Sequence, residues 1–117
     1  MITSVAPKLP YINADITKEY YLSRLEFSLV SQYPDYMIMR KDAIELHFFA
    51  FPALDPKKSD FMVYLRIDQG ITTFYQELQA KGVEIHPNGR LEDKPWNMKE
   101  FALLDPNGTL LTFGQSC

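Results

Sequence analysis

The sequence predicts an α+β domain made of two βαβββ modules in tandem. Three observations carry this reading. First, the chain repeats itself: Ile12, Ile16, Thr17 and Tyr20 of INADITKEY recur as Ile67, Ile71, Thr72 and Tyr75 of IDQGITTFY, each pair 55 positions apart. Self-similarity at one offset marks duplicated structural units. Second, each copy follows a strand-like run and opens a helix-like one. Third, strand-like runs follow each helix. The 117 residues, 46% hydrophobic and 23% charged, have the size and composition of one globular domain. Such a chain buries roughly two-thirds of its unfolded surface and folds without staples. The modules, about 5–51 and about 60–115, therefore share one domain.

The elements follow in order. The region before Ile12 supplies the first strand. Asn13 stands where an N-cap acceptor is wanted, and Ile16, Tyr20 and Leu25 give a helix from about 15 to 25. Phe27–Val30, YMIMR (36–40) and AIELHFFAF (43–51) read as the next three strands. FPALDPKKSD (51–60), with two prolines and mixed charge, joins the halves. FMVYLRI (61–67) leads the second module, and Asp68 is its candidate N-cap. Ile71, Phe74, Tyr75 and Leu78 fall at i, i+3, i+4 and i+7 in one apolar stripe, and Lys81–Gly82 end that helix. Val83 and Ile85 begin a short strand. HPNGRLEDKPW (86–96) is a long polar loop, where binding residues collect. MKEFALLD (98–105) and TLLTFGQ (109–115) form a hairpin around Asp105-Pro106-Asn107-Gly108, with Pro at i+1 and a glycine able to take φ > 0. Phe48, Phe49, Phe51, Phe61, Phe101 and Phe113 read as core rather than pocket.

Charge and cysteine usage narrow the function. Twelve basic and fifteen acidic residues give a net charge of -3 with no long run of one sign, so neither nucleic acid nor an anionic membrane is an expected partner. A mildly acidic surface favours a neutral or cationic ligand. The one cysteine, Cys117, forms no internal disulfide, and a terminal residue holds no fixed catalytic geometry. MITSVAPKLPYINAD has no signal-peptide pattern, and no apolar run is long enough to span a bilayer. A cytoplasmic location is expected.

Four stretches, ITKEYYLSRLEF, ELHFFAFPALDP, YLRIDQGITTFYQELQAKGV and WNMKEFALLDPNGTLLTFGQ, resemble the vicinal oxygen chelate superfamily, which includes glyoxalases and dioxygenases. Within it they resemble the bleomycin resistance proteins. Glu26 stands where the family's helix exit carries glycine. The resemblance implies mixed, curled sheets around ligand cavities, usually in a homodimer.

Enzymes of that superfamily hold a divalent ion with His and Glu side chains from the first and last strands of each module. The matching positions here offer Ala6, Pro7 and Lys8, then Asp60, Phe61 and Met62, with no histidine, and Thr112 where an acidic ligand would fall. Only Glu45 and His47 remain. Two apart on a strand, they share one face, and Asp60 is a weak third candidate. Two ligands fall short of the three or four a catalytic site uses. No metal and no cofactor are expected. His86, before Pro87 in a loop, is solvated. Nucleophile elbow, GxGxxG and phosphate-loop patterns are absent.

The resemblance also implies a drug clamp: an aromatic before the third strand and a tryptophan before the seventh grip a flat ligand. The matching positions are Tyr36, preceded by Asp35, and Trp96. Tyr33 is a further aromatic candidate and His47 a cavity-lining polar group. Asp35 and Asp60 would meet cationic groups. The reading is a metal-free binding protein of the bleomycin-resistance type that sequesters a flat, cationic small molecule. Two others stay open: a metal-dependent lyase, isomerase or dioxygenase using Glu45 and His47, and a dimeric binding module for a different ligand.

Overall fold

The computed structural model describes residues 1–117. In the first module, β1 (Lys8–Tyr11) leads into α1 (Ala14–Lys18), which continues as a π-helical turn (Glu19–Arg24). Then come β2 (Ser28–Tyr33), β3 (Tyr36–Lys41) and β4 (Ile44–Ala50). The second module repeats the order with β5 (Met62–Arg66), α2 (Ile71–Ala80), β6 (Glu92–Lys94), β7 (Met98–Leu104) and β8 (Leu110–Ser116). The modules form two four-stranded mixed sheets, ordered β1-β4-β3-β2 and β5-β8-β7-β6. In each, the leading strand runs parallel to the last and the remaining pairs are antiparallel.

Alternation assigns the two faces of each sheet. Met37, Met39, Leu46 and Phe48 of the first and Leu65, Phe101, Leu103, Leu111 and Phe113 of the second are buried, and all belong to one 17-residue core. Tyr21 packs edge-on against Phe48 at 4.8 Å, and Phe74 of α2 packs on Phe113 at 5.2 Å. Both helices therefore cover the apolar faces, leaving the opposite faces to a mixture of polar, aromatic and aliphatic side chains. Phe49, Phe51 and Phe61 depart from the core reading. They form their own half-buried aromatic group with ring centroids 6.0–6.5 Å apart.

The closing hairpin does more than reverse the chain. Gly108 takes φ 77°, and its missing Cβ matters, because a methyl there would collide with the Pro56 carbonyl. Asp105 is buried, and its Oδ1 accepts from the Asn107 and Thr109 amides at 2.8 and 3.0 Å. Its Oδ2 accepts from the Tyr21 hydroxyl at 2.6 Å. Asn107 Oδ1 accepts from the Ile12 amide at 2.9 Å, and its Nδ2 donates to Thr17 Oγ1 at 3.1 Å. The turn of module two is thus bonded into the helix of module one. Burial pushes the Asp105 carboxyl up from its ordinary value, opposed by these donors. Burial and the Asp105 charge push the Tyr21 phenol well up.

Three sequence expectations shift. Asn13 does cap α1, accepting from the Ile16 amide. Asp68 does not cap α2: the cap is Gly70 at φ 83°, and Gln115 of β8 accepts from the Ile71 amide at 2.9 Å. Val83 and Ile85 form no strand. Val83 is buried in the core, and its amide closes the helix end on the Leu78 carbonyl, following Gly82 at φ 77°. The strand is instead Glu92–Lys94, inside the segment read as a loop. An edge strand exposed to water carries no apolar alternation to betray it. Glu26 takes the glycine-like φ of 61° that its position demands, tied down by Lys81 at 2.7 Å. No helix is long and apolar enough to cross a membrane.

Candidate functional site

On the uncovered face of the first sheet, β4 presents Glu45, His47 and Phe49, and β3 presents Tyr36, Ile38 and Arg40 opposite them. Their polar groups form one chain. A carboxylate only accepts, so His47 Nε2–H donates to Glu45 Oε1 at 3.1 Å. In the tautomer with its proton on Nε2, Nδ1 accepts from the Tyr36 hydroxyl at 2.7 Å. Arg40 Nη2 donates to Glu45 Oε2 at 2.6 Å. Arg40 first and His47 second hold the Glu45 carboxyl below its ordinary range. Lys8, paired with His47 across the parallel strands, places its ammonium 5.5 Å from the Tyr36 ring centroid. Tyr33 is 57% exposed and pairs with Tyr36. Asp35 is exposed in the turn between them, its carbonyl accepting from the Ala50 amide.

These groups do not fit a divalent ion. Both ring nitrogens of His47 and both oxygens of Glu45 already have partners within the chain. The residue facing His47 is a cation, Lys8, and the positions facing each other in the second sheet are Tyr64 and Thr112. Asp60 lies before β5 in an exposed loop, and no three His, Cys, Asp or Glu side chains group together as a metal site would need.

The uncovered face of the second sheet carries a different polar cluster. Lys94-Pro95-Trp96-Asn97 is a tight turn closed by the Asn97 amide on the Lys94 carbonyl at 3.2 Å, with Asn97 at φ 61°. Trp96 therefore stands at the tip of the β6–β7 hairpin, 60% exposed. Its Nε1–H nevertheless donates to Glu100 Oε2 at 2.9 Å. The same oxygen accepts from the Tyr64 hydroxyl at 2.7 Å. Tyr64 reaches it diagonally across β8, over Gly114, where any Cβ would collide with that hydroxyl. Burial, then the bond to Glu100, pushes the Tyr64 phenol up to about 12, so it stays a donor at neutral pH.

Within one chain the sequence candidates fall into separate groups. Tyr36, His47 and Glu45 are bonded together with Tyr33 beside them, while Trp96 belongs to the other sheet. A cleft of about 990 Å³ runs between the sheets, lined by Glu45, Tyr64, Arg66, Phe74 and Gly114 among others. It reaches neither Tyr36 nor His47 nor Trp96. The faces bearing the two aromatics are open.

Glu100 and Tyr64 were not singled out from sequence. A signal existed in alternation: in MKEFALL, Phe101 and Leu103 face the helix, so Glu100 must face away, just after Trp96. FMVYLRI orients Tyr64 the same way. Nothing local shows that a single carboxylate oxygen would gather both donors.

The glyoxalase/bleomycin resistance protein/dioxygenase superfamily model matches residues 5–113. A bleomycin resistance protein of Klebsiella pneumoniae is 35% identical over 99% of this chain and 94% of its own. Two crystal structures share 33% identity: a bleomycin resistance determinant encoded on the transposon Tn5, with TM-score 0.88 over 98% of both chains, and a bleomycin-binding protein complexed with bleomycin, with TM-score 0.86 over 99% of this chain and 100% of the other. The duplicated βαβββ frame, its paired mixed sheets and these likenesses place the chain in the glyoxalase/bleomycin resistance protein/dioxygenase superfamily, alongside its bleomycin resistance proteins.

Proposed function

We propose that the protein binds and sequesters a flat, cationic small molecule of the bleomycin type without transforming it. The observation that carries this is the Trp96 indole: a large ring 60% exposed at a hairpin tip, yet fixed by a hydrogen bond to buried Glu100. An exposed tryptophan with no packing role, held in one orientation, suits stacking on a planar ligand, which adds about 0.5–1.5 kcal/mol per aromatic pair beyond area burial. Similarity to a structure holding bleomycin supports the ligand class. The polar chain through His47 and Glu45 lacks the ligand set for metal-assisted chemistry, which disfavours the lyase, isomerase or dioxygenase reading.

The working unit in this proposal is a homodimer. The faces bearing Tyr36 and Trp96 are open within one chain, and a twofold partner would set the Tyr36 face of one protomer against the Trp96 face of the other. Tyr33 and His47 then line the cavity, and Asp35 and Asp60 offer carboxylates to cationic groups. A protein of this kind acts by stoichiometric capture in the cytoplasm, without cofactor, nucleic acid or membrane.

The test is a titration with bleomycin followed by the emission of Trp96, the chain's one tryptophan. Quenching or a spectral shift should saturate near one or two ligands per dimer. Trp96→Ala should weaken binding by about 1–3 kcal/mol, the range for a buried binding anchor, while the unfolding midpoint barely moves. Unchanged emission together with no heat in calorimetry would rule bleomycin out as the ligand.

A further inference from the structure

We propose that Glu100 is the positioning residue of this site: it acts on the ligand through Trp96, by locking the indole before the ligand arrives. This rests on the stacking role proposed for Trp96. Glu100 is buried at 7% exposure, on β7, an inner strand of its sheet. Both of its hydrogen bonds fall on Oε2, from Trp96 at 2.9 Å and Tyr64 at 2.7 Å. None of the chain's ion pairs includes it. A carboxylate buried without a cation is expensive unless donors satisfy it, so an apolar or neutral residue would serve stability better here. Its neighbours do not ask for a charge either. Glu92 sits directly across on β6 as a like charge, already bonded to Lys94 at 2.6 Å. Arg66, in register with Gly114 and Glu100, keeps its guanidinium over the Tyr64 ring at 5.8 Å.

The cluster makes sense as a mounting. Charged acceptors form the shorter and stronger hydrogen bonds. Tyr64 holds the carboxylate from one side, Gly114 clears the path for its hydroxyl, and the carboxylate holds the indole from below. The result is a ring that keeps most of its surface in water but not its rotational freedom. Locking a side chain in its bound orientation improves affinity by removing an ordering cost from binding. The residue that decides this lies four positions from the ring, on a rigid strand, which is where a positioning group is most effective.

Time-resolved anisotropy of Trp96 in the full-length protein reads the lock directly, and calorimetry with metal-free bleomycin reads its consequence. Glu100→Ala should increase fast local motion of the indole and raise Kd roughly two- to twelvefold, the size expected for losing one pre-ordered side chain. Glu100→Gln keeps a carbonyl acceptor for both donors and should restore slow indole motion and most of the affinity. Tyr64→Phe, which leaves the Trp96 bond but frees the carboxylate, should fall between. Should Glu100→Ala not fold, the Gln and Phe variants make the same comparison. Unchanged anisotropy in Glu100→Ala, or in Tyr64→Phe where that variant stands in, overturns the proposal. So does a loosened indole with unchanged Kd, or a Gln variant that rescues neither readout. A wild-type protein that ignores bleomycin overturns the ligand reading instead, and the anisotropy arm still decides what Glu100 does to the ring.

Discussion

Changing Tyr21 to Phe removes one oxygen from the structure and tests how the two modules are fastened. Tyr21 is fully buried, and its hydroxyl donates to Asp105 Oδ2 at 2.6 Å, across 84 positions of sequence. The ring contacts with Phe27 and Phe48 survive the change. Asp105 would lose one of three donors while staying buried. A hydrogen bond to a charged group contributes about 1.5–3 kcal/mol, against about 0.5–1.5 for a neutral one. At neutral pH the variant should therefore be about 2 kcal/mol less stable. With an unfolding entropy of about 2.1 cal/mol/K per residue, that lowers the midpoint by about 8 °C in a chain this long.

The loss should depend on pH with a definite sign. The folded pKa of Asp105 lies above its ordinary value because burial disfavours the charge. A raised folded pKa means this group's contribution is intact in acid and is eroded as pH climbs from the unfolded toward the folded pKa. Tyr21 limits that rise, so its removal lifts the folded pKa further and extends the erosion. The gap between wild type and variant should be smaller at pH 4 than at pH 7.5. The Tyr21 phenol itself is pushed well up and remains a donor across the whole window. Urea unfolding followed by circular dichroism at both pH values, at one fixed protein concentration, measures the two gaps. A gap at pH 7.5 below about 0.5 kcal/mol, or one no larger than at pH 4, would refute the view that this bond stabilises a buried carboxylate.

Other outcomes follow from single contacts. Gly114→Ala should displace the Tyr64 hydroxyl, cost about 1–3 kcal/mol of stability by overpacking and red-shift the Trp96 emission as Glu100 loosens. Gly108→Ala combines a left-handed backbone with a collision on the Pro56 carbonyl and should cost about 2–4 kcal/mol in urea unfolding; Gly70→Ala, equally left-handed but in open space, should cost only about 1–2. Glu45 should titrate below the ordinary glutamate range by NMR, so its stabilising contribution persists as pH falls and disappears only through the lowered folded pKa; Arg40→Ala should move the midpoint back up. Elemental analysis after dialysis should find no stoichiometric Zn, Mn or Fe, and light scattering should give the mass of two chains at micromolar concentration.

The frame was legible because burial imposes periods. Ile71, Phe74, Tyr75 and Leu78 repeat helically, and ELHF alternates, since each must bury one side. The features that escaped have no local period. The acceptor for the first amide of α2 comes from Gln115, 44 positions away, and no local pattern distinguishes it from the nearby Asp68. Strand β6 is the polar edge EDK, which pairs through backbone alone. The DPNG turn was visible as a turn, but its bonds to Ile12, Thr17 and Tyr21 span 84 to 95 positions and exist only once the modules pack. Among the site candidates, residue type and resemblance mark Trp96, Tyr36 and His47, whereas nothing local marks Glu100, whose two donors come from positions 64 and 96.

The duplication explains why the two uncovered faces are the places to look for chemistry. Both modules had to solve one packing problem, a helix over a mixed sheet, and they solve it with the same apolar alternation. That demand fixes the residues facing the helices and leaves the opposite faces free. Random drift there should give an unremarkable solvated surface of independent polar groups. Instead the first sheet carries the connected chain Tyr36–His47–Glu45–Arg40, and the second carries Tyr64–Glu100–Trp96, each hydrogen-bonded end to end. The two differ in kind. The first commits its acceptors and its imidazole to one another, leaving nothing to coordinate a metal. The second spends a buried charge on holding an aromatic ring out in water. A fold stabilised elsewhere, through the Asp105 turn, has no need of either arrangement.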